Sequence, residues 1–222
     1  MARRGSRTRI VVVEDHEVVR RGIITLIGEE GDLEVVAEAS EATEAKKALS
    51  ENDAELAIVD LELPGKSGLQ LIEEIRSQYP DLKILVLSAY EETLYAERAL
   101  EAGANGYVMK KAATREVIDA VRQVVGGRVY VSSEMSERLL RRLVGGGKEA
   151  TGIEGLTDRE LQVFRLIGRG RSPSGIADEL HISVKTVESH REHIKDKLGA
   201  KNARELLQRA TLWVHNQGEA DR

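Results

Sequence analysis

Asp60 follows the apolar run Leu56, Ala57, Ile58, Val59 and precedes a loop carrying Pro64, Gly65 and Gly68. A carboxylate that ends a buried strand stands at the rim of a core, where open α/β sheets place their ligands. A second apolar run, Ile10 to Val13, ends the same way in Glu14 and Asp15. Up to three carboxylates can therefore meet at one edge of a parallel sheet. Such a group of hard oxygen donors suits a divalent cation.

These side chains need a scaffold, and the first half of the chain spells one. Short β-rich runs begin near Ile10, Leu33, Leu56, Lys83 and Asn105, spaced by roughly two dozen residues, with charged amphipathic stretches between them. Each gap holds one crossover helix. Right-handed crossovers then predict an α/β domain with a five-stranded, doubly wound parallel sheet covered on both faces. The pattern ends after Val121 to Val125 at Gly126 and Gly127. Residues 132–144 read as one helix, and Gly145, Gly146, Gly147 and the polar stretch to Gly155 read as a flexible linker.

From Leu156 the signals are those of helices only, predicting a second, smaller all-α domain. Thr157 with Glu160 three residues on is a capping box, and Leu161, Phe164 and Ile167 line one face of the helix it opens. Ser172 and Pro173 read as the N-cap and first position of a short helix with Ile176, Ala177 and Leu180 on its apolar side. A tight turn at His181, Ile182 and Ser183 leads into a helix carrying Val187, Ile194 and Leu198, and a fourth helix opens near Asn202.

Composition agrees with two domains: 222 residues with 41% hydrophobic content suffice for two ordinary cores. No run of about 18 apolar residues occurs, and the start leads into no apolar signal core, so a soluble, cytoplasmic protein with no membrane contact is expected. Cysteine is absent, which excludes disulfides and thiolate metal sites. The formal net charge of -5 is unevenly spread, with 24 acidic against 12 basic side chains in residues 10–127 and 8 against 11 in residues 156–216. Nucleic acid is thus an admissible partner of the second half alone.

The segments Val13-Glu14-Asp15-His16, Val59 to Gly68, Leu87-Ser88-Ala89-Tyr90 and Gly106-Tyr107-Val108-Met109-Lys110 resemble those of a response-regulator receiver domain. The resemblance covers residues 8–127. It implies that Asp60 accepts a phosphoryl group from a partner histidine kinase, a covalent role open to a carboxylate. It also implies a Mg²⁺ ion held by Asp15, Asp60 and the backbone carbonyl of Glu62, with Glu14 assisting. Lys110 then supplies a fixed positive charge to the phosphoryl oxygens and Ser88 a hydrogen bond. Ser88 and Tyr107 form the implied switch, the hydroxyl moving toward the phosphoryl group as the ring turns inward. Glu62 and Tyr90 flank the site and are expected to set how fast water removes the phosphoryl group. Lys111 is expected in a solvated loop, where many relatives carry an acid.

Two enzymatic readings fail on individual residues of the Asp60 loop. Gly65-Lys66-Ser67 ends like a P-loop, but Asp60 stands where the first glycine is needed and Pro64 lacks a backbone donor. A haloacid-dehalogenase-type phosphatase wants a second Asp two residues beyond the first, where Glu62 stands. No enzyme is therefore expected.

The stretch Leu156 to Glu160, then Ser183 to His190 and on to Lys197-Leu198-Gly199, resembles a LuxR-type helix-turn-helix over residues 154–218, with 128–153 as a linker. Together the two halves resemble a response regulator of the NarL/FixJ family. The resemblance implies a transcription regulator whose second helix enters the major groove of double-stranded DNA. Lys185, Thr186, Glu188, Ser189 and Arg191 are the candidates for base-edge or phosphate contact, and Lys195, Lys201 and Arg204 for phosphates. His190 and His193 have no carboxylate or third histidine clearly beside them in the sequence, and His190 reads as a partly buried seam residue near the DNA backbone, not a metal ligand. Ser172-Pro173-Ser174-Gly175 replaces the family's more usual Asn-Lys-Glu type run. Acidic Glu188 and Glu192 on the reading face predict weak binding by one copy, compensated by a homodimer on two half-sites, with RNA polymerase a candidate partner. The alternative is DNA binding independent of phosphorylation, with a degenerate or constitutive receiver.

Overall fold

The computed structural model describes residues 7–144 and 152–219. All five expected strands form: β1 (Thr8–Val13), β2 (Leu33–Ala39), β3 (Leu56–Val59), β4 (Lys83–Ser88) and β5 (Gly106–Met109). They pair in parallel in the order β2-β1-β3-β4-β5. The central strands β1 and β3 are apolar without alternation because both their faces are covered, and Ile10 to Val13 and Leu56 to Val59 are essentially inaccessible.

Helices α1 (Glu17–Gly28), α2 (Ala42–Glu51), α3 (Gly68–Gln78) and α4 (Glu92–Glu101) are the crossovers, and α5 (Thr114–Val125) follows the last strand. On one face, Ile23 and Ile27 of α1 and Val117, Val121 and Val124 of α5 share a core with Ile10, Val12, Ile58 and Leu85. Helices α2, α3 and α4 bury Ala45, Leu49, Leu71, Ile72, Ile75, Ala96 and Ala99. The register Val13↔Val59 brings the residues just after β1 and β3 side by side. This is the strand-order reversal at which such sheets bind ligands.

The first structural unit extends through Val144, well past the glycines at 126 and 127 where the sheet pattern stops. Tyr130 makes a parallel bridge to Gly106 on the β5 edge, and α6 (Ser133–Val144) packs on α4. Met135 is 1% exposed there. The Glu92 carboxylate accepts the Ser132 backbone N–H at 2.7 Å, and Arg142 pairs with Glu97. Residues 128–144 thus fold as part of the first unit, while the expected linker glycines 145–147 lie outside the described residues.

The second unit contains a short 3-10 turn (Gly152–Gly155) and helices α7 (Asp158–Gly168), α8 (Pro173–Leu180), α9 (Val184–Leu198) and α10 (Ala203–Glu219). The capping box at Thr157 and Glu160 is complete, and Ser172 and Ser183 cap α8 and α9 through their hydroxyls. Phe164, Ile176, Val187, Ile194, Leu206 and Ala210 are buried completely. Between α8 and α9 the chain turns at His181, the one non-glycine among the described residues with positive φ, at 51°. Among the described residues no helix is long and apolar enough to cross a membrane.

Candidate functional site

Glu14 follows β1 and Asp60 follows β3, and their carboxylates are 1% and 2% exposed. Backbone pairing continues one step beyond the strands, with the Asp60 N–H donating to the Val13 carbonyl at 2.9 Å. Lys110 follows β5 and reaches back across the sheet edge. Its ammonium lies 2.8 Å from Asp60 Oδ2 and 2.6 Å from Glu14 Oε2, so one cation bridges two buried acids. Burial alone would depress the Lys110 ammonium, but Asp60 and Glu14 outweigh it and hold the group above its ordinary pKa.

Burial pushes the Asp60 carboxyl up to about 6, against the pull of Lys110 and with a further push from Glu14. One of its oxygens, Oδ1, is buried without a hydrogen-bond partner among the described residues. A buried orphan acceptor on a carboxylate is costly unless a ligand answers it. Asp15 is more open, and its Oδ1 lies 2.7 Å from His16 Nδ1. Glu14, Asp15 and His16 together form a group whose ligand atoms lie within 4.8 Å of one another. The acidic group and the orphan Asp60 oxygen fit a hard divalent cation.

The positions of Gly68 and Arg20 fix this edge. A Cβ on Gly68 would lie 2.5 Å from Leu61 Cα and collide with the Asp60 carbonyl, so only glycine lets α3 start this close to the Asp60 loop. Arg20 donates to the Glu14 carbonyl at 2.7 Å and to Glu38 at 2.8 Å, clamping the turn after β1. Neither His16 nor Arg20 stood out as a site residue in the sequence. His16 is signalled only by its place after the acidic pair, and Arg20 depends on the β1–β2 pairing that brings Glu38 near.

Ser88 ends β4 and is fully buried, as is Tyr107. The Tyr107 hydroxyl donates to the Tyr90 carbonyl at 2.7 Å, and burial holds the phenol well above its ordinary pKa against an opposing pull from Ser88. Ser88 Oγ accepts the Tyr90 N–H at 3.3 Å, and its carbonyl accepts the Lys110 N–H at 2.8 Å. Serine, tyrosine and lysine are therefore coupled through one loop. Tyr90 is 8% exposed, and its ring lies 4.5 Å from that of Tyr95, so it packs as well as flanks. Glu62 is half-buried, and its backbone N–H bears on the Asp60 carboxylate. Lys111 is exposed but ion-paired with Glu91 at 3.6 Å, which accounts for its tolerance in the loop.

In the second unit, α9 turns Val187 and Ile194 inward and leaves Lys185, Thr186, Glu188 and Ser189 exposed. Thr186 shares its hydroxyl with Ser183 at 2.8 Å, so it belongs to the cap as well as to the exposed face. Arg191 pairs with Glu188 at 3.1 Å and Lys195 with Glu192 at 2.7 Å. Lys201 and Arg204 are exposed around the start of α10. His190 is half-buried, and burial holds its imidazole below the ordinary pKa, with Arg159 adding to the effect.

Residues 10–122 match the response regulator receiver domain, and residues 154–210 match the bacterial regulatory proteins of the luxR family. The chain belongs to the response regulators. It has the NarL/FixJ arrangement of receiver followed by LuxR-type helix-turn-helix, and it is a two-component, DNA-binding transcription regulator. This response regulator is 36% identical over 208 residues to the oxygen regulatory protein NreC of Staphylococcus carnosus, covering 91% of this chain and 96% of that one. RcsB from Salmonella enterica serovar Typhimurium, solved bound to promoter rprA with the phosphomimetic BeF3-, superposes with a TM-score of 0.67 at 27% identity, over 93% and 99% of the two chains. A LuxR-family regulator from Aurantimonas sp. SI85-9A1 is 33% identical with a TM-score of 0.58, over 63% of this regulator and 99% of that chain.

Proposed function

We propose that a histidine kinase phosphorylates Asp60 and that this controls dimerisation and sequence-specific DNA binding. The observation that carries the reading is Asp60 itself: it is 2% exposed, its Oδ1 has no hydrogen-bond partner among the described residues, and its Oδ2 lies 2.8 Å from Lys110. A carboxylate oxygen attacks phosphorus as the bond to the donor imidazole nitrogen breaks, leaving an acyl phosphate on Asp60 and the imidazole free. Lys110 neutralises the phosphoryl oxygens in place of one carboxylate partner. Asp15, Asp60 and the Glu62 carbonyl, with Glu14 beside them, would hold Mg²⁺. The ion supplies charge neutralisation between carboxylate and phosphate.

Ser88 Oγ, which accepts the Tyr90 N–H, would turn to donate to a phosphoryl oxygen, and that movement beside Tyr107 is the switch. Lys185, Thr186, Glu188, Ser189 and Arg191 would meet the major groove, with Lys195, Lys201 and Arg204 on phosphates. RcsB supports this by analogy, having been solved with a promoter in the presence of BeF3- and also as two dimers bound to two parallel DNAs. A cytoplasmic site of action accords with a DNA target, and RNA polymerase is the remaining partner of a transcription regulator.

The buried Tyr107 ring favours a second reading, a constitutive receiver already in the inward arrangement. One experiment separates the two. Selection of DNA by the full chain, with and without a small-molecule phosphodonor and Mg²⁺, is compared between the parent and Asp60→Asn. Enrichment that needs phosphodonor and is lost in Asp60→Asn supports the first reading. Enrichment indifferent to both establishes the second.

A further inference from the structure

The exposed face of α9 carries more acid than a phosphate-seeking surface should. Val187 and Ile194, both completely buried, fix the inward side of the helix. The 3.6-residue period then places Lys185, Glu188 and Glu192 together on the opposite side, with Arg191 and Lys195 along the flank. The side chains of Glu188 and Glu192 are 49% and 62% exposed, whereas those of Arg191 and Lys195 are only 19% and 21% exposed. Each cation lies against the helix, held by the acid at 3.1 and 2.7 Å. The two flanking cations are thus neutralised locally, and beside Lys185 the groups presented outward are carboxylates.

A carboxylate accepts hydrogen bonds and donates none, so it survives in a major groove only opposite a base donor. Two bases provide one there: adenine through its N6 amino group and cytosine through its N4 amino group. Adenine sets N7, an acceptor, beside the amino group, and guanine and thymine present acceptors at the corresponding edge. Cytosine alone offers a donor with no competing acceptor next to it. Glu188 lies in the second turn of α9, and it is the N-terminal part of such a helix that reaches base edges.

We infer that Glu188 selects a cytosine in each half-site, resting on the reading of α9 as the DNA-recognition helix. In the free protein Glu188 restrains Arg191. On the correct site the carboxylate accepts the cytosine N4–H and Arg191 is released toward the phosphates. On other sequences the carboxylate meets acceptors and phosphates, so Glu188 opposes non-specific binding. Glu192 opposes binding through its charge alone.

The test is selection from a random-sequence duplex library by the full chain treated with phosphodonor and Mg²⁺, using the parent, Glu188→Gln and Glu192→Gln. The parent is expected to enrich sites with one position per half-site preferring C over T by about tenfold. In Glu188→Gln that preference falls below about threefold or moves to A, because glutamine pairs with adenine N6 and N7. Glu192→Gln keeps the parent's cytosine and binds unselected DNA more tightly. The same motif from the parent and Glu188→Gln, a parent motif without an invariant cytosine, or a base change in Glu192→Gln alone overturns the assignment. No enrichment by the parent overturns the DNA-recognition reading and the assignment with it.

Discussion

The backbone N–H of Tyr107 donates to the carbonyl of Tyr130 at 2.8 Å, tying the aromatic residue of the switch to the segment that leaves the sheet. Tyr130 returns a bond to the Asn105 carbonyl at 3.1 Å, and Glu92, at the start of α4, accepts from Ser132 two residues further on. A displacement of β5 or of the first turn of α4 is thereby delivered to α6.

Gly106 makes this attachment sensitive to a single methyl group. A Cβ there would meet the Tyr130 carbonyl at 2.9 Å, Val124 Cγ2 at 3.0 Å and Leu85 Cδ1 at 3.1 Å. Gly106→Ala is expected to destabilise the first unit by roughly 1–3 kcal/mol, the ordinary cost of overpacking. Urea unfolding followed by circular dichroism measures it. Hydrogen exchange should quicken first at the Tyr107 and Tyr130 amides; unchanged protection of both would show that the attachment does not depend on this contact.

Lys110→Met removes the cation between Asp60 and Glu14, both almost inaccessible, and leaves two acids facing each other. Unpairing buried charge costs ~3–5 kcal/mol, and the phosphoryl oxygens lose a fixed positive partner worth about a hundredfold in rate. Intact-mass detection of the acyl phosphate after phosphodonor treatment is expected to show at least a tenfold slower gain than in the parent. Equal rates would remove Lys110 from the chemistry.

How much of this was legible in the sequence follows from what each feature depends on. Asp60, Glu14 and Asp15 end apolar runs, and a parallel sheet brings strand ends to one edge whatever the helices do, so their grouping could be foreseen; Ser88 and Lys110 were implied by the family resemblance. The meeting of Ser88 and Tyr107 at Tyr90 and the orphaned Asp60 oxygen depend on side-chain positions within that edge, which periodicity does not encode. Residues 128–144 read as a connector because Gly126 and Gly127 interrupt the pattern. Their docking on β5 and α4 depends on Glu92, Glu97 and Gly106, and no local signal marks these as partners. The capping box at Thr157 was explicit in the chain, whereas the Glu160–Lys197 ion pair spans 37 residues and required the fold.

His181 adopts the left-handed conformation at φ 51°, where a side chain other than glycine is strained by roughly 1–2 kcal/mol. Glycine removes the strain but adds freedom to the unfolded chain, so His181→Gly is expected to stabilise the second unit by only about 0.5–1 kcal/mol. Trp213, the single tryptophan, lies 5.5 Å from Phe164 and reports unfolding of that unit by fluorescence. A loss of stability would mean that the His181 side chain contributes contacts that outweigh its backbone strain.

Glu160 gives the second unit a pH dependence whose sign is fixed by its partners. Its Oε2 accepts the Thr157 N–H at 2.7 Å and the Lys197 ammonium at 2.6 Å, and the residue is 4% exposed. Burial pushes the carboxyl upward, but Lys197 and the Thr157 N–H prevail and hold it below the ordinary value of 4.5. A carboxyl depressed by folding contributes stability that is full above its unfolded pKa and lost as pH falls through the folded one. The contribution is therefore complete at pH 7 and declines below 4.5. Glu160→Gln keeps an acceptor for Thr157 but removes the charge, and is expected to cost roughly 1–3 kcal/mol at neutral pH. Its deficit relative to the parent should be smaller below pH 4.5 than at pH 7. Urea unfolding followed by Trp213 fluorescence at both pH values checks this, and a deficit that stays constant with pH would assign the loss to packing and not to the ionised carboxylate.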